Sequence, residues 1–304
     1  MHTESKHSTV SAVACAGYHP AMRHAIDLSA IGPWGSPRRL AGLAALAEHS
    51  GWDGVFVEDY VFHAEGLDCY DPWVAMSAIA MATERIRFGP LVAAVPRRRP
   101  WKLAAEAVAL DHLSGGRMIL GVGSGDPSGP DFTSSGEAAD ARVRGEMLDE
   151  ALELIDRLWK GEEVTHHGVH YQVDHVTLRP RPVQWPRIPI WVGGQFTRRR
   201  PRERSLRWDG ACLYKVEPPE WDDMTPDDVH ELRRLAAERP QSGHFDVVVG
   251  GRRRSEDEAA DRERIAALAE AGATWWNEWV PPDTPYERVR EIVCAGPQRA
   301  GALV

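Results

Sequence analysis

The segment Ala104–Asp126, AAEAVALDHLSGGRMILGVGSGD, restricts the fold more than any other part of the chain. Leu103, Ala107, Leu110 and Leu113 recur at three- and four-residue intervals, the spacing of one helical face. Ser114-Gly115-Gly116 ends that helix, because glycine accepts the backbone conformation that closes a helix C-terminus. Met118–Gly123 is then a short, almost unbroken apolar run, as in a strand of a parallel sheet buried on both faces. Ser124-Gly125-Asp126-Pro127 follows as an open exit where backbone amides can approach a ligand.

The same unit of helix, turn, buried strand and exit recurs along the chain. Strands are expected at Arg23–Ser29, Asp53–Glu58, Ile86–Val92, Met118–Gly123, Ile188–Gly193, Asp209–Lys215, Phe245–Gly250 and Ala273–Val280. Helix starts are marked at Ser36-Pro37, Asp71-Pro72, Pro100, Thr225-Pro226 and Thr284-Pro285, since proline suits a first turn that needs no N–H. Eight strands alternating with eight helices predict an α/β fold, a (β/α)8 TIM barrel over residues 22–304, after a mobile polar tail at 1–21. A doubly wound open sheet is the alternative, weakened because no GxGxxG follows strand one. Two segments stand outside the repeat. Residues 126–141 lose all period and form an inserted loop after strand four, long enough to be a lid. Val164–Leu178 alternates around a glycine and reads as a β-hairpin before strand five.

Composition narrows the function. A net charge of -9 argues against a nucleic-acid partner. No apolar run approaches the ~20 residues of a membrane helix. Cys15, Cys69, Cys212 and Cys294 form no CxxC pair and read as reduced thiols of a cytoplasmic protein. His166, His167, His170 and His175 sit on the hairpin, where alternation separates neighbours, so no metal site is expected there.

In such a barrel the chemistry lies at the C-terminal strand ends. Glu58, Asp59 and Tyr60 end strand two, and Glu278 ends strand eight. These are candidates for proton transfer or hydrogen bonding to a substrate, with Tyr60 as donor and Asp59 orienting it. Trp275, Trp276 and Trp279 pack the last strand or wall an apolar pocket. Two exits suit an anion. Gly193-Gly194-Gln195-Phe196-Thr197 offers two glycines, a capping hydroxyl at Thr197 and a following helix N-terminus. Gly250-Gly251-Arg252 is the other, and the residues alone leave both open.

Four stretches together resemble the bacterial luciferase-like monooxygenases and their deazaflavin-dependent relatives. They are Gly51–Asp59 (GWDGVFVED), Thr83–Gly89 (TERIRFG), Leu110–Arg117 (LDHLSGGR) running into Leu120–Gly123, and Ile188–Gly194 (IPIWVGG). The resemblance covers Met22 to about Gly210 well and the rest loosely. It implies a flavin-dependent oxidoreductase, a monooxygenase that uses diffusible reduced FMN and oxygen on a small organic substrate, or alternatively a hydride-transfer enzyme of the deazaflavin coenzyme F-420. A flavin-binding protein without turnover is the reading of another class. A flavin reductase partner and a homodimer are implied too. By position, the resemblance puts a cis peptide at Leu91–Val92 beneath the flavin ring, with Gly123 and Ser124 at its ribityl chain or phosphate. It puts the phosphate loop at Gly193–Thr197, and Glu58 and Asp59 beside the cofactor. The family often has histidine at the strand-two exit, where this chain has Tyr60.

Overall fold

In the computed structural model, residues 22–63, 66–126, 128–217, 220–222, 224–239 and 243–299 are described. The expected tail, with Cys15, lies outside the described residues. The elements in order are β1 (Arg23–Leu28), α1 (Pro37–His49), β2 (Gly54–Val57), α2 (Pro72–Ala82), β3 (Arg87–Pro90), β4 (Ala93–Ala94), α3 (Pro100–Ser114) and β5 (Leu120–Gly123). The lid and hairpin region follows, with α4 (Pro130–Thr133), α5 (Ala141–Trp159), β6 (Val164–His167) and β7 (Gln172–Val176). The remainder is β8 (Ile190–Gln195), α6 (Arg199–Ser205), β9 (Gly210–Glu217), β10 (Glu220–Asp222), α7 (Pro226–Ala237), β11 (Asp246–Arg252), α8 (Glu258–Glu270), β12 (Trp275–Val280) and α9 (Tyr286–Ala295).

The barrel strands run in the order β3-β2-β1-β12-β11-β9-β8-β5-β4, all parallel. The expected third strand is broken at Leu91–Val92, so β3 and β4 are two halves of one stave. The lower half closes the ring, Ile119 N donating to Phe88 O at 2.9 Å. The result is the expected eight-stave barrel. Two features were not expected: that break, and a short antiparallel pairing of β10 on the end of β9. The hairpin β6–β7 stands apart from the barrel, as expected.

Side-chain alternation along each stave decides what reaches the interior. Ala25, Phe56, Ile119, Trp191, Val248 and Trp275 fill the lower barrel as one cluster. The Trp191 and Trp275 rings meet at 5.3 Å, and Trp191 Nε1 donates to Asp246 Oδ2 at 3.1 Å. Counting upward from these anchors, Asp27 and Ser29 of the first stave, Glu58 of the second, and Asn277 and Trp279 of the last face inward. Their neighbours Asp59 and Glu278 face outward toward the helices.

Two residues of the Leu110–Arg117 stretch are staples of the fold. Asp111 is buried and accepts hydrogen bonds from Val183 N (2.7 Å), Gln184 N (3.1 Å) and Gln184 Nε2 (2.7 Å), which pins the segment leading into β8. Arg117 donates to Ala80 O, Thr83 O and Ile86 O and so fixes the α2–β3 connection. Helix starts follow the sequence signals with two departures, at Ser36 and at Thr284-Pro285, where Pro285 is itself the N-cap of α9. Thr225 and Asp228 form a reciprocal capping box, whereas Ser36 caps α1 by position without a side-chain bond.

Candidate active site

The barrel mouth has two unlike halves. The first spans the β3/β4, β5 and β8 staves. The peptide between Leu91 and Val92 is cis, at the bond the resemblance implies. The Val92 side chain occupies the space that β-carbons would need on Gly123 (2.6 Å to Cγ2) and Gly193 (3.0 Å to Cγ1). These glycines therefore make room for a neighbour as well as baring their amides. Above them the wall divides. The β5–β8 pairing stops at Val122–Val192, while β8–β9 pairing continues to Gln195–Tyr214. The exits Gly123-Ser124 and Gly193-Gly194-Gln195 thus border a notch in the wall. Arg198 stands at this side. It donates to Gln195 Oε1, and it offsets part of the upward push that burial, Asp126 and Cys212 give the Tyr214 hydroxyl.

The second half spans β2, β1 and β12, which are consecutive in the sheet. Asp27 is 5% exposed, Asn277 3%. Asn277 Nδ2 donates to Asp27 Oδ2 at 3.4 Å, leaving Asp27 Oδ1 and Asn277 Oδ1 without partners. Ser29 Oγ donates to Glu58 Oε2, and the Trp279 side chain also hydrogen-bonds Glu58. Burial, and next the Glu58 charge, push the Asp27 carboxyl well up against the opposing bond from Asn277. Burial pushes Glu58 up as well, with Ser29, Trp279 and His63 opposing. Two carboxyls enclosed together cannot both ionise cheaply, so the pair retains a proton beyond the ordinary carboxylate range. Tyr60 extends this column outward. Burial, then Glu58, Asp126, Asp27 and Asp131, push its hydroxyl up to about 12, so it is a proton-bearing donor at neutral pH. The His63 ring lies 6.1 Å from the Tyr60 ring.

A bracket behind the strand-two exit holds the lid. Asp59 accepts from Ala94 N (3.1 Å) and from Arg98 Nε (3.1 Å), and pairs with Arg97 (2.9 Å). Burial alone would raise its pKa, but the guanidiniums of Arg98 and Arg97 hold it below the usual range. Arg97 also pairs with Asp131 of α4. Asp131 in turn accepts from Val61 N (3.2 Å) and Phe62 N (2.8 Å). At the other end of the lid, Arg144 donates to Ser124 O (3.0 Å) and Ala138 O (3.2 Å) and stacks on Phe132. Between the lid and the strand-two exit opens a cleft of about 480 Å3, lined by Phe62, His63, Ser128, Pro130, Thr133 and Ser134.

The structure brings some expected site residues together and separates others. Glu58 and Tyr60 share the inner column. Leu91, Val92, Gly123, Ser124, Gly193, Gly194 and Gln195 share the notch. Asp59 is turned away from Tyr60 into the arginine bracket, so it does not orient that hydroxyl. Glu278 is on the outer face of β12, 2% exposed and paired with Arg254 at 3.0 Å, away from the mouth. Phe196 is buried, with Arg202 stacked on its ring, and faces a helix layer. Thr197 is exposed and does not cap α6, whose N-cap is Arg198. At the rival anion exit, Gly250 is explained by packing, since a β-carbon there would lie 2.4 Å from Asn277 O. The hairpin histidines are each engaged by an acid, as in His166–Glu150 at 3.1 Å and His175–Glu163 at 3.0 Å. Asp27, Ser29 and Asn277 were missed. The available signal was an isolated polar residue at the inward register of an otherwise apolar strand.

The fold is a parallel eight-stave barrel with a glycine-lined notch and buried acids at its C-terminal mouth. The family model described as luciferase-like monooxygenase matches residues 12–278, and the chain belongs to that family. An F420-dependent glucose-6-phosphate dehydrogenase of Microbacterium testaceum is 34% identical over 162 residues, 52% of this chain and 47% of that protein. The oxygenase component of a flavin-dependent trigonelline monooxygenase of Acinetobacter baylyi is 29% identical over 177 residues, 58% of this chain and 47% of that protein. The matched stretch thus spans about half the length of these relatives. The crystal structure of the monooxygenase RslO1 from Streptomyces bottropensis superposes with a TM-score of 0.70 at 21% identity, covering 90% of this chain and 96% of that one. This last likeness concerns the fold. Among the described residues no helix is long and apolar enough to cross a membrane, and no three His, Cys, Asp or Glu side chains are grouped to hold a metal ion.

Proposed function

We propose that the chain is a flavin-dependent monooxygenase that takes up reduced FMN at the Gly123–Gly193 notch and acts on a small organic substrate against the Asp27–Glu58–Tyr60 column. The observation that carries this reading is the notch itself. A planar ring can approach a wall where two staves end in glycine, and Arg198 supplies a cation on the side where a phosphate would lie. The residues present fit such a cofactor: Leu91 and Val92 beneath the ring, Gly123 and Ser124 along the chain, and Gly193, Gly194 and Gln195 with Arg198 at the phosphate. Bound reduced flavin would supply the electrons that activate oxygen. The protein's part is to position, to exclude water and to supply a proton. Lid residues 126–140, tied down by Asp131 and Arg144, would provide the exclusion. Tyr60 keeps its proton at neutral pH and so serves as donor, not as base.

Hydride transfer with the deazaflavin coenzyme is the second reading, supported by the F420-dependent relative. Withdrawing hydride from an alcohol needs a base at the substrate, and Tyr60 replaces the histidine that would serve. That favours the oxygen-using reading. A homodimer would use the apolar outer positions Val74 and Met81 of α2 and Leu113 of α3, which are 57%, 71% and 45% exposed, and sedimentation velocity would test it. A flavin reductase would supply the reduced cofactor. Titration with reduced FMN and, in parallel, with the reduced deazaflavin coenzyme, following fluorescence and oxygen uptake, decides between the readings. Tight FMN binding with oxygen consumption is expected. Preference for the deazaflavin without oxygen uptake would support hydride transfer, and binding of neither would remove the notch as a cofactor site.

A further inference from the structure

Carboxylates dominate the field at the second half of the mouth. On the notch side Asp126 also raises the Tyr214 hydroxyl, and there Arg198 opposes it. On the opposite side every electrostatic influence resolved at Tyr60 is a carboxylate: Glu58, Asp126, Asp27 and Asp131. The guanidiniums nearest this acid half are engaged elsewhere, while the His63 imidazole acts on Glu58 in the opposite sense to the carboxylates. Arg97 and Arg98 are locked on Asp59 behind the wall, and Arg254 on Glu278 outside β12. Two more than nine-tenths buried inward side chains, Asp27 and Asn277, each keep an oxygen with no hydrogen-bond partner. Both are acceptor positions, and Trp279 and Tyr60 add aromatic faces above them.

We infer that the acid half of the mouth is the subsite for a protonated amine, with Asp27, Glu58 and Asn277 receiving its ammonium group. This rests on the reading of the mouth as a shared cofactor and substrate site. An ammonium brings three donors for the free oxygens of Asp27 and Asn277. Its charge also makes it favourable for both carboxyls to ionise, which they resist while enclosed together. Aromatic faces at the rim add cation–π attraction. A phosphorylated or carboxylate substrate would meet the opposite field and is disfavoured.

Proton release separates this from a merely polar pocket. The groups facing Asp27 are Glu58 from β2 and Asn277 from β12, with Tyr60 and His63 above, Asp126 and Asp131 at the lid, and the apolar Phe56 and Trp275 below. An ammonium bound here should expel the proton held by the carboxyl pair, so affinity falls as pH falls. Calorimetry should be run on the full chain with and without bound cofactor. The ligands are linear alkylammonium ions from methyl to hexyl and benzylammonium, each beside its alcohol and carboxylate counterpart. Two buffers of different ionisation enthalpy count the protons.

The expected result is at least tenfold tighter binding of one or more ammonium ions than of the matching alcohol, no carboxylate binding in this half, and net proton release on ammonium binding. Asp27→Asn should remove that release and lose at least tenfold in ammonium affinity. Glu58→Gln, the second variant, should do the same if Asp27→Asn fails to fold. Equal affinity for ammonium and alcohol across the series, or an unchanged proton count in a folded variant, would overturn the assignment. Cofactor binding distinguishes the two levels. Ammonium binding by a protein that takes neither FMN nor the deazaflavin would remove the oxidoreductase reading alone. Cofactor binding without ammonium preference would remove the amine subsite alone.

Discussion

The Cγ2 atom of Val92 lies 2.6 Å from where a β-carbon on Gly123 would stand. Gly123→Ala should therefore overpack the mouth and destabilise the protein by about 1–3 kcal/mol. It should also weaken cofactor binding, because Val92 must move into the notch. Gly42→Ala is the control. Gly42 lies within α1 and its β-carbon would meet nothing within 4 Å, so that change should stabilise by about 0.5–1 kcal/mol. Urea unfolding of both variants checks the pair, and equal effects would contradict the steric account.

Tyr60→Phe removes a hydroxyl that keeps its proton to a pKa of about 12. Under the proposed monooxygenase chemistry, substrate turnover should fall by about 10²-fold or more with cofactor affinity retained. The wild-type rate should show no alkaline loss traceable to Tyr60 below about pH 11. Steady-state rates from pH 6 to 10, with cofactor binding in parallel, test this. An undiminished rate in the variant would exclude Tyr60 as donor.

Asp131 holds the lid to the strand-two exit through two backbone amides and Arg97. Asp131→Ala leaves the buried Arg97 with one carboxylate instead of two. Losing a partner of a buried pair costs about 3–5 kcal/mol at the upper end. Here Asp59 retains Arg97, so the cost should be smaller and fall mainly on the lid. Hydrogen exchange at the amides of Val61 and Phe62 should accelerate, and limited proteolysis should cut first within residues 126–140. Unchanged exchange at both amides would show that another contact holds the lid.

His24 links stability to pH. Burial, and next the Arg299 charge, lower its pKa to about 4 against the weaker opposing pull of Asp53. The unfolded chain therefore binds a proton near pH 6.5 that the folded chain refuses until about pH 4. Stability from this group is full above pH 6.5 and is lost progressively as pH falls to 4, by about 3 kcal/mol. His24→Gln should remove most of that dependence. Urea unfolding at pH 7 and pH 4 measures it, and an equal pH loss in the two proteins would refute the assignment.

Much of the barrel was legible because its signals are local. The apolar period of Leu103–Leu113 and the glycines after it specify α3 and its end, and Gly115 indeed closes the helix at φ 65°. The break in the third stave had a local signal, Gly89-Pro90 just before Leu91, that a continuous strand over Ile86–Val92 passes over. The site was half legible. Gly123 and Gly193 announce themselves by type, and the resemblance points to Leu91–Val92. Asp27 does not, because one acid in a strand looks like ordinary alternation until the strand's neighbours turn it inward beside Glu58. Glu278 failed for the same reason in reverse: its polarity was plain, but its direction depended on Trp275 being the inward residue.

The break between β5 and β8 above Val122–Val192 and the Asp27–Glu58 pair lie on non-adjacent staves of one ring. Each can therefore be rebuilt without disturbing the hydrogen bonds of the other. Under the proposed reading, substitutions on β1, β2 and β12 change which molecules are accepted, and grafting a different Gly193–Arg198 segment changes the reagent.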